Sequence, residues 1–490
     1  MAPDSRAELC VVGAAAPSAA VLIMGLNGPG AAALTVSALV LSLLAARAVV
    51  ETGRTPRALW PAVLVLGVLA VTRGPIGSHD LWSYSFYGRM VTEYRVDPYR
   101  AVPAMFPHDV VYPVVGWRHT PSGYGPLFTF YSAATTALAG GSKLVMRLGF
   151  QLVAAGAVTW CLWVLSRARR HAALTLVALQ PFIWVSVVNG GHNDAILAAV
   201  LLAAVIAFDR HHTARTAALV GVAALVKMSA IFVVVPLVVL LLARRRWRDA
   251  ATMAVVPLGG LVAGELVAPG SLANASSASR GIVSRASVWR PVSLVSGIGG
   301  VQITLLATGF VAVLIVAISW RHRNDVGASV SAGGSLSVFG MASSYTLPWY
   351  LVWGVPALAL SGDLAVLSVV VARGSLMAAS YQLKGSSIEG VPGALLSILA
   401  PVALLGVFLR RILVLRPTSF DGRHGSVSPS AVRLDPADPW RSTIRSQSRS
   451  FNGALAVGQP PSSRTLRTLS PVDQNTAART DRRDSRRSVT

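Results

Sequence analysis

Apolar runs of helical length follow one another from about residue 9 to residue 409, and this succession restricts the fold more tightly than any other feature of the chain. Each crossing of a hydrocarbon core about 30 Å thick needs roughly 20 such residues. The runs are filled by Ala, Leu, Val and Gly without period-two alternation, so helices rather than barrel strands satisfy the backbone polar groups. With 53% hydrophobic and 13% charged residues and a mean hydropathy of +0.58 over 490 residues, the expected fold class is an all-α polytopic membrane protein.

The net charge of +23 is carried mostly by arginines that flank apolar runs or lie near the C-terminus. That distribution marks topology and contact with anionic headgroups, and argues against a nucleic-acid partner. Cys10 and Cys161 sit within or beside apolar runs, far apart and without metal-type spacing, so no disulfide framework is implied. The opening MAPDSRAELC lacks a basic stretch followed by a small-residue cleavage site, and the first apolar run is expected to be a retained helix.

Arg54 with Arg57, the Arg167, Arg169 and Arg170 group, Arg244 to Arg248, Arg321 with Arg323, and Arg410 with Arg411 mark cytoplasmic ends. Three spans within residues 1–72 then deliver residue 73 to the outside. The next basic cluster forces one of the two runs at 124–140 and 144–166 to stay on the surface, and Gly125-Pro126 suits an interfacial helix over 126–139. The expected division is therefore N-terminal spans (1–72), an outer loop with its juxtamembrane helix (73–142), a transmembrane core (143–409) with a second outer segment (268–300), and a basic, disordered cytoplasmic tail (410–490). About 12–14 helices result, several short for a perpendicular span.

Asp80, in RGPIGSHDLWSY, lies just beyond the apolar run that ends near Thr72. A carboxylate at a bilayer edge can act as a base toward a lipid-linked substrate. Lys227 interrupts an apolar hairpin, and reads either as a snorkelling lysine or as a cation for a phosphate; Arg285 and Arg290 are alternatives in the second outer segment. Arg89 either orients a substrate group or pairs with Glu93 four residues on. His192, Asn193 and Asp194 follow two glycines; Asn193 or Asp194 is expected to cap the next helix while the group contacts substrate, and the spacing of other His and acidic residues does not support a metal site. Tyr84, Tyr99, Tyr124, Trp349 and Tyr350 are aromatics of the outer face, suited to an interfacial belt or to sugar stacking, with Tyr84 and Trp349 the better placed for the latter. Asp97, before Pro98, reads as a turn residue.

Five segments in order, SHDLWSYSFYGRMVTEYRVDPY from Ser78, TPSGYGPLF from Thr120, NGGHNDAILAAVLLAA from Asn189, LVKMSA from Leu225 and SSYTLPWYLVW from Ser343, resemble the actinobacterial polyprenol-phosphate-mannose-dependent α-1,6-mannosyltransferases. These are membrane glycosyltransferases of the GT-C class, involved in lipomannan and related lipoglycan assembly, and the resemblance runs from about residue 30 to 409. It implies a GT-C fold whose first outer loop supplies an acidic catalytic residue, here Asp80. It further implies a polyprenyl-phospho-mannose donor, a lipid-anchored mannan acceptor, an inverting transfer and a multi-pass protein of the cell membrane working on its extracytoplasmic face. The substrate-binding residues expected are Tyr84, Arg89, Tyr124, His192, Asn193, Asp194, Lys227, Arg290, Trp349 and Tyr350, with no cofactor and no metal. Because phosphate departs readily as an anion, one carboxylate suffices where glycoside hydrolysis needs two. The residues alone do not separate mannose from another polyprenyl-phosphate sugar such as arabinofuranose. A lipid-linked sugar flippase, which would call for internal repeats and intramembrane acids, is the reading from another class.

Overall fold

The computed structural model describes residues 3–25, 27–383 and 390–414. The expectations for the basic tail beyond residue 414 lie outside the described residues. Among the described residues the regular structure is helical throughout.

The first helices are Pro3–Met24 (α1), Pro29–Thr52 (α2) and Leu59–Thr72 (α3). Asp80–Thr92 (α4) and Pro126–Ala139 (α5) belong to the expected outer loop, and Lys143–Arg167 (α6) follows. Local chemistry sets many of these ends. Pro29 opens α2, where its missing N–H costs nothing, and Gly53 closes it in the left-handed region with its N–H on the Val49 carbonyl. The Ser142 hydroxyl accepts from the Val145 N–H to cap α6.

The apolar run over 172–188 forms His171–Ala178 (α7) and a π-helical turn over Phe182–Val188, bent by 56°. Pro181 lies in the break, where it cannot donate to the helix ladder and disfavours helical geometry in the residue before it. Next come Asp194–Asp209 (α8), Thr213–Val226 (α9), Val234–Ala243 (α10) and Trp247–Val267 (α11). Lys227 is extended, so α9 stops there, and a 3-10 turn over Met228–Val233 leads into α10. The short helices Ser271–Ser277 (α12) and Arg290–Val295 (α13) occupy the second expected outer segment. Gly300–Arg321 (α14) and Ser329–Ala342 (α15) follow. The apolar run over 346–361 is divided into a 3-10 turn over Pro348–Trp353 and the short helix Val355–Ser361 (α16). Leu364–Gln382 (α17), capped by the Asp363 carboxylate on the Ala365 and Val366 N–H groups, precedes Val391–Ala394 (α18) and Ala400–Leu409 (α19).

Among the described residues, seven helices have the length and apolarity to cross a membrane, and the bent pair at α7 makes up to eight; α3, α9 and Met228–Ala243 are shorter apolar helices. Large apolar side chains such as Leu258, Val262 and Leu266 on α11, and Leu305 and Val313 on α14, point outward. Such faces suit a hydrocarbon solvent, and the chain is a multi-pass membrane protein.

Hydrogen bonds seat the 73–76 segment beneath α4. The Asn189 amide donates to the Ala70 and Gly74 carbonyls (both 3.0 Å) and accepts from the Ile76 N–H (2.7 Å). Gln151 on α6 donates to the Asn189 and Arg73 carbonyls (2.6 and 3.0 Å). Buried polar groups satisfied in this way fix α3, α6 and the 189–193 turn to one another. Further along, the Asn274 amide donates to the Tyr99 and Ser122 carbonyls (2.8 and 3.2 Å), joining the segment 268–300 to the segment 73–125. Asp97 accepts from the Tyr99 N–H at 2.8 Å, the turn its place before Pro98 suggests.

Candidate active site

Asp80 is the first residue of α4, a position in which a carboxylate gains from the helix dipole. Its side chain is 15% exposed, with one oxygen held and the other turned to a histidine. The Trp117 indole N–H donates to Oδ1 at 2.9 Å, and Oδ2 lies 3.7 Å from His192 Nδ1. Burial raises the Asp80 carboxyl above the ordinary carboxylate range, against the opposing pull of the Trp117 hydrogen bond and the Lys227 charge. Its negative charge is thus weakly compensated.

His192 is fully buried in the turn between the π-helical segment and α8. Gly191, at φ +61°, makes that turn, and a Cβ there would meet Leu81 at 2.7 Å and Phe150 at 3.1 Å. The imidazole stacks on Trp349, with centroids 3.8 Å apart and planes at 19°. Its Nδ1 is 3.2 Å from the Tyr84 hydroxyl and 4.0 Å from Asp194 Oδ2. Burial, with help from Lys227, pushes its pKa well down, so the ring is neutral. Nδ1 shares a hydrogen bond with the Tyr84 hydroxyl, while the two carboxylate oxygens stand beyond hydrogen-bond reach. The Nε2 atom is buried without a partner.

Asp194 opens α8 and is fully buried. Its Oδ1 accepts from Lys227 Nζ at 2.7 Å and from the Trp353 indole N–H at 2.6 Å. The ammonium also lies 4.5 Å from the Tyr350 ring centroid and 5.2 Å from that of Trp353. Lys227 is therefore a paired, aromatic-caged cation rather than a snorkelling one. The expected helix cap is absent: Asn193 already has helical dihedrals (φ −61°, ψ −14°), which turn its side chain away from the N–H groups ahead, and Asp194 is spent on Lys227 and Trp353. Both polar atoms of the Asn193 amide are buried without a partner.

Tyr84 meets Tyr124 and Phe128 edge-on, each with centroids 4.9 Å apart, so the two tyrosines form one wall. Asp80, Tyr84, Tyr124, His192, Asp194, Lys227, Trp349 and Tyr350 are thus linked through direct contacts. Arg89 stands apart from that chain. Its Nε donates to Asp109 at 2.8 Å and one terminal nitrogen to the Gly140 carbonyl at 3.0 Å, while Glu93 is 3.6 Å away. Arg290 opens α13 in the second segment, half-buried.

Two indoles with structural influence on the carboxylates, Trp117 and Trp353, had no distinguishing signal in the sequence. Trp117 sits in a loop whose folding brings it across 37 positions to Asp80, and Trp353 ends an apolar motif. Only the tertiary structure aims their N–H groups.

Residues 9–244 match the family model described as "Alpha-(1->6)-mannopyranosyltransferase, N-terminal domain". Over those residues, a little under half of the chain, the sequence is similar to this family. Asp80, Tyr84, Tyr124, His192, Asp194 and Lys227 all lie inside the matched stretch; Trp349, Tyr350 and Trp353 come from beyond it. Among similar proteins, α-(1→6)-mannopyranosyltransferase A of Corynebacterium glutamicum is 24% identical over 348 residues, covering 61% of this chain and 69% of the relative. Its counterpart in Mycobacterium tuberculosis is 26% identical over 172 residues, 33% of this chain and 32% of the relative. A second α-(1→6)-mannopyranosyltransferase of M. tuberculosis is 30% identical over 141 residues, covering 27% and 24%. The matched stretch thus spans about a third or less of the two mycobacterial relatives. No solved structure matches the chain.

Proposed function

We propose that the protein transfers mannose from polyprenyl-phospho-mannose to an α-1,6-mannan or lipomannan-type acceptor at the extracytoplasmic face of the cell membrane. The observation that carries this reading is the Asp80 carboxylate: partly open, raised in pKa by burial, and placed at a helix start inside the family's matched stretch. Asp80 takes the proton from an acceptor hydroxyl as its oxygen attacks the anomeric carbon of the donor. The bond from that carbon to the phosphate oxygen breaks, and its electron pair leaves with polyprenyl phosphate. A raised pKa strengthens the carboxylate as a base. A single displacement inverts the anomeric centre, and the departing phosphate needs no proton from the protein.

His192 and Trp117 hold Asp80 in this role. Trp117 fixes one oxygen, and the buried imidazole stands 3.7 Å from the other without adding a full charge that would weaken the base. The Tyr84 and Tyr124 wall offers aromatic surface against which a sugar can pack.

Membranes containing the protein, given labelled polyprenyl-phospho-mannose and short α-1,6-mannosides, test the reading. Wild type should elongate the mannoside, and Asp80→Asn should lower transfer by about 10²–10⁴-fold, the range for loss of a general base. Equal transfer by both removes Asp80 from the mechanism. Transfer from a different polyprenyl-phosphate sugar alone would reassign the donor.

A further inference from the structure

Arg373 lies in the middle of α17, 1% exposed, in a helix long and apolar enough to cross a membrane. One terminal nitrogen donates to the Ala286 carbonyl, and Nε is buried without a partner. Among the described residues no carboxylate stands within ion-pair distance of it. A guanidinium at such a depth is costly unless it faces a counter-charge, and a membrane helix carries one where it serves a ligand.

The segment around Ala286 brings more positive charge to the same place. Residues 284–289 fold inward, with Ser284, Ala286 and Ser287 buried. The segment is pinned by the Ser287 hydroxyl on the Ser343 carbonyl (2.8 Å) and the Trp289 indole on the Ala342 carbonyl (2.7 Å). Arg285 and Arg290 lie within electrostatic range of each other, and Tyr381 is in range of both Arg285 and Arg373. Arg285 and Arg290 are half-buried, so they stand where a ligand can reach them, with Arg373 behind. Lys227 has its charge matched by Asp194 at 2.7 Å.

We infer that Arg373, together with Arg285 and Arg290, forms the site for the phosphate of an isoprenoid-linked donor, and that Lys227 is a structural cation. The inference rests on the proposed transfer for the identity of the lipid. It differs from that proposal in assigning the anion site to the junction of α17 with the 284–290 segment. Arginine suits this task, since its planar fork meets phosphate oxygens in pairs and its charge persists when buried. The arginines would hold the phosphate in the bound donor and stabilise the added negative charge as the sugar leaves.

Binding separates this inference from the transfer reaction. Purified full-length protein in nanodiscs of neutral lipid is exposed to a photoreactive polyprenyl monophosphate, and labelling is quantified for wild type, Arg373→Gln, Arg285→Gln and Arg290→Gln. The three arginine variants should each lose about tenfold or more in apparent affinity, the worth of a charge-assisted contact. The corresponding photoreactive polyprenol should not label the site. Excess inorganic phosphate or phosphatidylglycerol should compete weakly, because neither joins phosphate to isoprenoid. If Arg373→Gln does not fold, the two variants in the 284–290 segment carry the test. Wild-type affinity in the arginine variants, equal labelling by the polyprenol, or full competition by phosphatidylglycerol overturns the inference. Labelling that follows the arginines in a protein that transfers no mannose keeps the phosphate site and removes the proposed sugar.

Discussion

At the scale of single residues, the environment of Asp80 sets a pH dependence. Burial raises its pKa, and the Trp117 hydrogen bond opposes the rise by favouring the carboxylate. A base works only when deprotonated, so transfer falls as pH drops through this raised pKa. Replacing the indole by Trp117→Phe removes a donor that stabilises the charged form, and the pKa climbs further. The acid limb of a kcat/KM profile should therefore move to higher pH in Trp117→Phe. An unmoved or lowered limb would mean that Trp117 does not act on the base. Lys227 and Asp194 make a second residue-level case. Removing the ammonium by Lys227→Met leaves a fully buried carboxylate uncompensated, which costs about 3–5 kcal/mol in such pairs. The melting temperature in detergent should drop, and adding Asp194→Leu should recover part of the loss. A variant that melts like wild type would show that the ion pair contributes nothing to stability.

At the scale of elements, much of the helix pattern could be read from apolar periodicity and its punctuation. The run assigned to 126–139 is the helix Pro126–Ala139, because Gly125-Pro126 and Gly140 mark both its ends. The run at 172–188 was less readable, since its hydropathy is continuous and only Pro181 announces the bend. The candidate site divides similarly. Asp80, His192 and Asp194 are polar groups beside apolar runs and declare themselves, whereas Arg373 interrupts a run without ending it, and its surroundings depend on a segment 87 positions away. Gly125 shows how an element is seated. Its N–H donates to the Val226 carbonyl at 3.1 Å, and a Cβ would collide with the Leu225 carbonyl. Gly125→Ala should therefore push α5 off the α9 terminus and cost about 1–3 kcal/mol, the penalty for overpacking. Limited proteolysis within 93–125 reports it: cleavage should quicken in the variant, and an unchanged rate would mean that the contact has slack.

At the scale of the whole molecule, the geometry of α6 turns the charge-based topology into a measurable distance. Arg147, near the start of α6, donates to the Thr72 carbonyl at 3.2 Å, and Gln151 one turn later binds the Ala70 and Arg73 carbonyls. The beginning of α6 is thereby tied to the end of α3 and to the segment that leads to Asp80. With 25 residues at 1.5 Å each, α6 is about 37 Å long, longer than a hydrocarbon core of about 30 Å. Ser78 lies beside one end and Ser166 near the other, followed by Arg167, Arg169 and Arg170, the kind of basic cluster that stays cytoplasmic. Cysteines placed singly at these positions, in a chain whose Cys10 and Cys161 are replaced by alanine, should react with a membrane-impermeant maleimide from opposite sides. Ser78→Cys should label in intact cells and Ser166→Cys only after the membrane is opened. Labelling of both in intact cells would put the arginine cluster outside and break the link between Asp80 and an extracytoplasmic acceptor. The reverse pattern would turn the molecule over, moving the carboxylate, the arginine site and the sugar donor they are proposed to share to the cytoplasmic face.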